Sequence, residues 1–194
     1  LESNVAKKFK VKYCVSSNSA TSCLHMALAS LNVGPGDEVL VPSMSFNSTA
    51  TSVLYVNAVP KFVEVKKDTF CIDPVDMKKK ITNKTKAIMA VHVLGNSTNM
   101  DELQKIIKKR KIYLIEDTCE SLGSRYKKKY LGTFGDFGTY SFYYSHQITS
   151  GEGGMIVCKT KEDYDLLYTM RSHGWDRGLN SSEKKNNFNF INSG

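Results

Sequence analysis

Short apolar runs of strand length alternate with amphipathic helical stretches along this chain, and no other feature restricts its fold as much. Ser17-Asn18-Ser19 reads as a helix cap ahead of an apolar face made by Cys23, Leu24, Ala27, Leu28 and Leu31, and Gly34-Pro35-Gly36 ends that helix. Residues 38–41 read as the next strand. A helix over 49–57, a strand over 61–65, a helix opened by Asp73-Pro74, a buried strand over 85–93, an amphipathic helix over 101–109 and a strand over 112–116 continue the pattern. Residues 138–144 and 154–159 read as two strands joined by a tight connection holding Gly151, Gly153 and Gly154, and a helix over 161–171 follows. With no internal repeat and no low-complexity stretch, this alternation predicts an α/β domain.

Composition narrows the function classes. With 194 residues, 41% hydrophobic and 24% charged, the chain can bury a sizeable core. No run approaches the roughly 18 apolar residues that span a bilayer, and no leader pattern opens the sequence, so the expectation is a cytoplasmic protein with no membrane partner. Cys14, Cys23, Cys71, Cys119 and Cys158 are scattered without a metal-ligand cluster, which reads as buried reduced thiols and no metal. The net charge of +8 sits largely in short runs such as residues 78–80 and 127–129. Those runs lack interleaved aromatics, so they read as solvated faces and not as a nucleic-acid groove. The last residues, rich in Asn, Ser and Lys, end without a stop signal, so the chain is expected to be a fragment.

Three segments carry chemistry. Ser17-Asn18-Ser19-Ala20-Thr21-Ser22 lies at an expected helix start, where free backbone N–H groups and the helix dipole favour an anion, although a simple cap accounts for the same residues. Leu114-Ile115-Glu116-Asp117-Thr118-Cys119-Glu120 ends an apolar strand in acids, at the strand end where α/β sheets bind ligands. A carboxylate there suits a pyridinium nitrogen; a helix cap or a magnesium ligand is the alternative. The third segment runs from Thr139 through Ser141, Ser145, His146 and Gln147 to Gly151-Glu152-Gly153-Gly154. Among the other histidines, His25 and His92 read as structural, while His173 beside Trp175 either borders a ligand site or pairs with a helix end.

The third segment resembles the cofactor-attachment segment of the DegT/DnrJ/EryC1/StrS sugar aminotransferases. Gly34-Pro35-Gly36-Asp37-Glu38-Val39, residues 42–46, Ile72-Asp73-Pro74 and Glu116-Asp117 extend the resemblance through nearly the whole chain. It implies a fold type I large domain, a mostly parallel mixed sheet between helices, followed by a smaller domain. It also implies pyridoxal or pyridoxamine phosphate as cofactor, a homodimer, a nucleotide-linked ketosugar as substrate, an amino donor such as glutamate, and a place in deoxysugar and O-antigen biosynthesis. By the resemblance, Ala20 and Thr21 match the phosphate-binding pair, Phe46 the aromatic that stacks on the ring, Asp117 the partner of the ring nitrogen and Ser141 a phosphate-holding hydroxyl.

His146 falls on the position of the Schiff-base lysine, and no lysine lies between Tyr130 and Cys158 to replace it. An imidazole cannot form that covalent link. Ala20 also replaces the family's usual glycine. The nucleotide-sugar 3-dehydratases, a subset of the family, carry histidine there and hold pyridoxamine phosphate without a covalent bond. Ser145-His146-Gln147-Ile148-Thr149, Glu120 three residues after Asp117, and Arg171-Ser172-His173-Gly174-Trp175-Asp176-Arg177 resemble the same subset. The resemblance therefore implies dehydration of a 4-keto-6-deoxyhexose with His146, Asp117 and Glu120 as catalytic residues and His146 as the base, a role suited to imidazole near neutral pH. An aminotransferase or an inactive sugar-binding paralogue is the alternative.

Overall fold

The computed structural model describes residues 1–176 and Leu179. Its elements are α1 (Glu2–Phe9), β1 (Tyr13–Ser17), α2 (Ala20–Ser30), β2 (Glu38–Pro42), α3 (Ser48–Tyr55), β3 (Val59–Val63), α4 (Pro74–Lys80), β4 (Thr85–Val91), α5 (Met100–Arg110), β5 (Tyr113–Asp117), the hairpin β6 (Arg125–Tyr126) and β7 (Lys129–Tyr130), β8 (Phe137–Ser141), β9 (Gly154–Cys158) and α6 (Lys161–Met170). Side-chain oxygens cap the helices where the sequence places them. Ser19 accepts from the Ser22 N–H, Asp73 from Val75, Asn99 from Glu102 and Thr160 from Asp163. Lysine and arginine fill the last turns of α4 and α5, where they complement the helix dipole.

The main sheet has seven strands in the order β1-β9-β8-β5-β4-β2-β3. Pairing is parallel except at β9, which runs antiparallel to both β8 and β1. The alternation of side chains along each strand sorts the core onto two faces. Val39, Val41, Met89 and Ile115 pack under α2 with Leu24 and Leu28. Leu40, Ile88 and Leu114 pack on the other face with Met77 of α4 and Leu103 of α5. Because of the same pleat, Glu116 and Asp117 leave β5 on opposite faces.

Two features depart from the sequence reading. The segment between β8 and β9 is an excursion over residues 142–153 and not a tight connection. Its base is pinched at Phe142, whose N–H donates to the Gly153 carbonyl at 2.9 Å and whose carbonyl accepts from the Ser150 N–H at 2.9 Å. The strand expected over 85–93 stops at Val91, after which the chain makes a short 3-10 turn with Leu94 at φ 50°. The sequence reading also passed over α1 and β1. The expected features beyond Asp176, Leu179 apart, lie outside the described residues.

α1 is fastened to the sheet through Glu2. Its Oε1 accepts from the Ser16 N–H at 2.7 Å, the Ser16 hydroxyl at 2.8 Å and Arg171 Nη1 at 2.6 Å, which ties α1, β1 and the end of α6 together. Burial alone would raise the Glu2 pKa, but the Ser16 donors and Arg171 outweigh it and hold the carboxyl below its ordinary value. A carboxyl depressed in the folded state adds stability that is present above its unfolded pKa and lost as pH falls through the folded one. Thermal unfolding of wild type and Glu2→Gln should therefore differ near neutral pH and converge in acid, below the ordinary carboxylate range. A difference that persisted unchanged into acid would contradict this assignment.

Candidate active site

A cavity of about 600 Å³ opens at the carboxyl ends of the parallel strands, and Ala20, Thr21, Phe46, Asp117, Glu120, Ser141 and His146 all line it. Strand pairing explains how residues so far apart in sequence meet. Gly154, the first residue of β9, lies between Ser17 of β1 and Ser141 of β8. The start of α2 therefore stands beside the end of β8. Gly154 is required for that approach, because a Cβ there would sit 2.3 Å from the Ser19 backbone. The geometry of α2 leaves the N–H groups of Ala20 and Thr21 without intrahelical acceptors, facing the cavity beside the Ser141 hydroxyl.

Asp117 is buried, and its carboxylate is oriented from two sides. Oδ1 accepts from the Cys119 N–H at 3.2 Å, and Oδ2 accepts from the Thr49 hydroxyl at 3.2 Å. Ser45 shares a 2.6 Å hydrogen bond with Thr49, so a relay of two hydroxyls fixes the acid. The bond to Cys119 caps a turn; no helix begins there. Beside it, burial and then the charge of Asp117 push the Cys119 thiol far up, so it remains a thiol and not a nucleophile.

His146 sits on the pinched loop, in a turn closed by its own N–H to the Tyr143 carbonyl at 3.1 Å. Its imidazole makes no hydrogen bond within the described residues and faces the edge of Tyr143, ring centroids 6.3 Å apart. Glu120 braces the loop. Its carbonyl accepts from Gln147 Nε2 at 2.6 Å, while its carboxylate accepts from the Leu94 N–H at 3.1 Å. Among the described residues lining the cavity are three carboxylates, Asp117, Glu120 and Glu152, and no lysine or arginine. The described residues contain no cluster of three His, Cys, Asp or Glu able to hold a metal. His173 does not line the cavity; its ring edges Trp175, with centroids 6.0 Å apart.

Sequence reasoning missed the support beneath the site. Glu116 is completely buried, and its Oε1 accepts from the Phe134 and Gly135 N–H groups, both at 2.6 Å. Oε2 accepts from the Gly132 N–H at 2.8 Å and pairs with His92 Nε2 at 3.1 Å. The Thr98 N–H donates to His92 Nδ1 at 3.4 Å, which leaves Nε2 as the donor to Glu116. His92 is thus the structural histidine that the sequence suggested. Ser45, Thr49 and Tyr143 were missed as well, although the polar run before α3 carried a signal for the first two.

This donor set fits a flat ring bearing a phosphate: an anion seat at α2, an oriented carboxylate beneath the floor, an exposed aromatic at Phe46 and a free imidazole. A match to the family model described as "DegT/DnrJ/EryC1/StrS aminotransferase family" covers residues 1–191. The chain belongs to that family. A GDP-4-keto-6-deoxy-D-mannose 3-dehydratase from Escherichia coli O55:H7 is 40% identical, over 94% of this chain and 49% of the relative. A GDP-perosamine synthase from Escherichia coli O157:H7 is also 40% identical, over 89% of this chain and 48% of the relative. A solved GDP-4-keto-6-deoxymannose-3-dehydratase with a trapped PLP-glutamate geminal diamine superposes with a TM-score of 0.89 at 39% identity, covering 92% of this chain and 48% of that one. The chain thus spans about half the length of the relatives it matches, and its fold is the mostly parallel α/β sheet of the pyridoxal-phosphate-dependent transferases.

Removing the Glu116 carboxylate strands three buried N–H groups, so Glu116→Ala should lower the unfolding free energy by about 3–5 kcal/mol in urea titrations. Glu120→Ala, which loses one carboxylate bond at the cavity wall, should cost only about 1 kcal/mol. Equal small losses would show that Glu116 does not hold the site together.

Proposed function

We propose that this chain is the cofactor-binding large domain of a pyridoxamine-phosphate-dependent 3-dehydratase acting on a nucleotide-linked 4-keto-6-deoxyhexose. The observation that carries the reading is the free His146 imidazole in a cavity whose described lining offers no lysine amine. The 3-dehydratase relative supports it. The perosamine synthase, equally identical, favours an aminotransferase, but that chemistry needs an amine where this chain has an imidazole.

When bound, the cofactor supplies an amine that condenses with the sugar's ketone and a ring that accepts electrons. The Ala20 and Thr21 N–H groups and the Ser141 hydroxyl would bind its phosphate, Phe46 would cover one ring face, and Asp117 would hold a proton at the ring nitrogen. His146 would take a proton at the cofactor's C4′ carbon and deliver one to the departing 3-hydroxyl. Glu120 keeps the His146 loop in register through Gln147. Glutamate would replace the nitrogen that leaves the sugar as ammonia, a role supported by the PLP-glutamate adduct of the solved relative.

The active form is a homodimer in which further residues complete the site. Phe46, Tyr144 and Leu94 are 74%, 69% and 79% exposed, an unusual set of bare apolar groups at or beside one cavity. A phosphate and a nucleotide diphosphate also call for cations, which the described lining lacks. The setting is the cytoplasm, consistent with free cysteines of which Cys14, Cys23, Cys71 and Cys158 are buried. No described helix is long and apolar enough to cross a membrane.

The test uses full-length protein, a GDP-linked 4-keto-6-deoxyhexose, pyridoxamine phosphate and glutamate, with mass spectrometry of the sugar. Loss of the 3-oxygen is the expected product. An amino sugar that keeps its 3-hydroxyl, or no conversion, would overturn the reading in favour of an aminotransferase or an inactive paralogue. His146→Asn should still bind the cofactor yet lose about 10²–10⁴-fold in turnover, because an amide has no basic nitrogen.

A further inference from the structure

A second cleft, about 460 Å³, lies at the far end of β9, the end marked by Cys158 and Lys159. The strand's length, about 13 Å, separates it from Gly154 and the active-site cavity. Lys10 and Lys12 after α1, Arg125, Lys128 and Lys129 of the β6–β7 hairpin, and Lys159 line it. Among the described residues no Asp or Glu lines it. None of the six cations forms an ion pair among the described residues, whereas nearby Lys127 is paired with Asp101.

These cations are organised. The Arg125 guanidinium lies over the Tyr130 ring, 4.1 Å from its centroid, and donates to the Tyr130 hydroxyl. Lys159 Nζ donates to the Phe134 carbonyl at 2.8 Å, and Lys129 Nζ stands 4.4 Å from the centroid of the Phe134 ring. Two ammonium groups therefore converge on one residue. Partial burial and then the Lys159 charge hold the Lys129 pKa below its ordinary value. The carboxylate closest to balancing Lys129, Glu116, is already committed to backbone N–H groups and His92. The six side chains are exposed and screened by water, but with no counter-charge among the described residues they form a positive concave patch drawn from three chain segments, which suits a multivalent anion.

The aromatic walls narrow the ligand. The Phe9 ring is stacked on Tyr140 at 4.7 Å and meets Tyr130 edge-on at 5.1 Å, while Arg125 covers Tyr130. Phe9 is buried and Arg125 takes one face of Tyr130, so the walls lack the row of open aromatic faces of a nucleic-acid groove. We propose that this cleft binds a diphosphate group, from free pyrophosphate or from the diphosphate of a nucleotide, independently of the active site.

The experiment titrates inorganic pyrophosphate, and separately GDP, into full-length protein saturated with pyridoxal phosphate, so that the α2 anion seat is filled. Expected is a saturable pyrophosphate site that weakens as salt rises, and for GDP the same site in addition to the nucleotide site of the active-site cavity. Lys128→Gly removes a charge at a residue with φ 70°, where glycine is at ease. It and Lys159→Ala should each weaken binding about tenfold, while Ser141→Ala, which removes the hydroxyl beside the α2 seat, should leave it unchanged. Circular dichroism establishes that each variant is folded. Binding lost in Ser141→Ala but retained in the lysine variants would place the anion at α2 and overturn the proposal. At the site that the lysine substitutions weaken, GDP binding more than about tenfold tighter than pyrophosphate would mean that the base is read, and would overturn it too. So would failure of pyrophosphate alongside oligonucleotide binding that tightens with length.

Discussion

The four hydrogen bonds of the Glu116 carboxylate hold the ligand end of this domain in one piece. Three backbone N–H groups of residues 132–135 and the His92 imidazole converge on this fully buried side chain. Through His92 it reaches the end of β4, and through the turn it fixes the approach to β8, where Gly138 lies so close to Gly132 that a Cβ would meet its carbonyl at 1.9 Å. The adjacent residue, Asp117, inherits that rigidity on the opposite face. In its proposed role of holding one proton at one ring atom, that carboxylate gains from a backbone with little freedom to drift. Thr49 and Ser45 then fix the side chain itself.

The His146 loop has a different construction. Among the described residues it is held at Phe142, by the Tyr143 N–H to the Ser141 hydroxyl and through Gln147 to Glu120, and its imidazole makes no hydrogen bond there. On the proposed reading, a base that accepts and releases a proton at different atoms gains from that freedom, whereas the Asp117 carboxylate needs the reverse. The proposed site would then pair an acid fixed on a strand end with a base on a lightly held loop, with the start of α2 on the other side of Gly154 as the anion seat.

Much of this was legible in the sequence because local rules governed it. Ser19 and Asp73 announced their helices, and the apolar runs of β2, β4 and β5 marked buried strands. The residues assigned by family resemblance proved to share one cavity, although their chemical roles rest on the proposal. What stayed hidden depended on distant partners. β1 is a short edge strand whose place is set by pairing with β9 near the other end of the described chain, and α1 is secured by Glu2, whose partner Arg171 lies beyond α6. Glu116 and Asp117 look interchangeable as neighbours; only the pleat of β5 tells them apart, a signal that strict period-two reading would have caught. The excursion over residues 142–153 was taken for a tight turn because its glycines resemble hairpin residues.

The central claim is that His146 leaves the cofactor unattached. Borohydride reduction of the full-length wild-type protein loaded with pyridoxal phosphate, followed by peptide mass spectrometry, tests it directly. The account predicts no phosphopyridoxyl lysine anywhere in the chain, and a new one at position 146 in His146→Lys. A reduced lysine adduct in the wild-type protein, stoichiometric with cofactor, would contradict it.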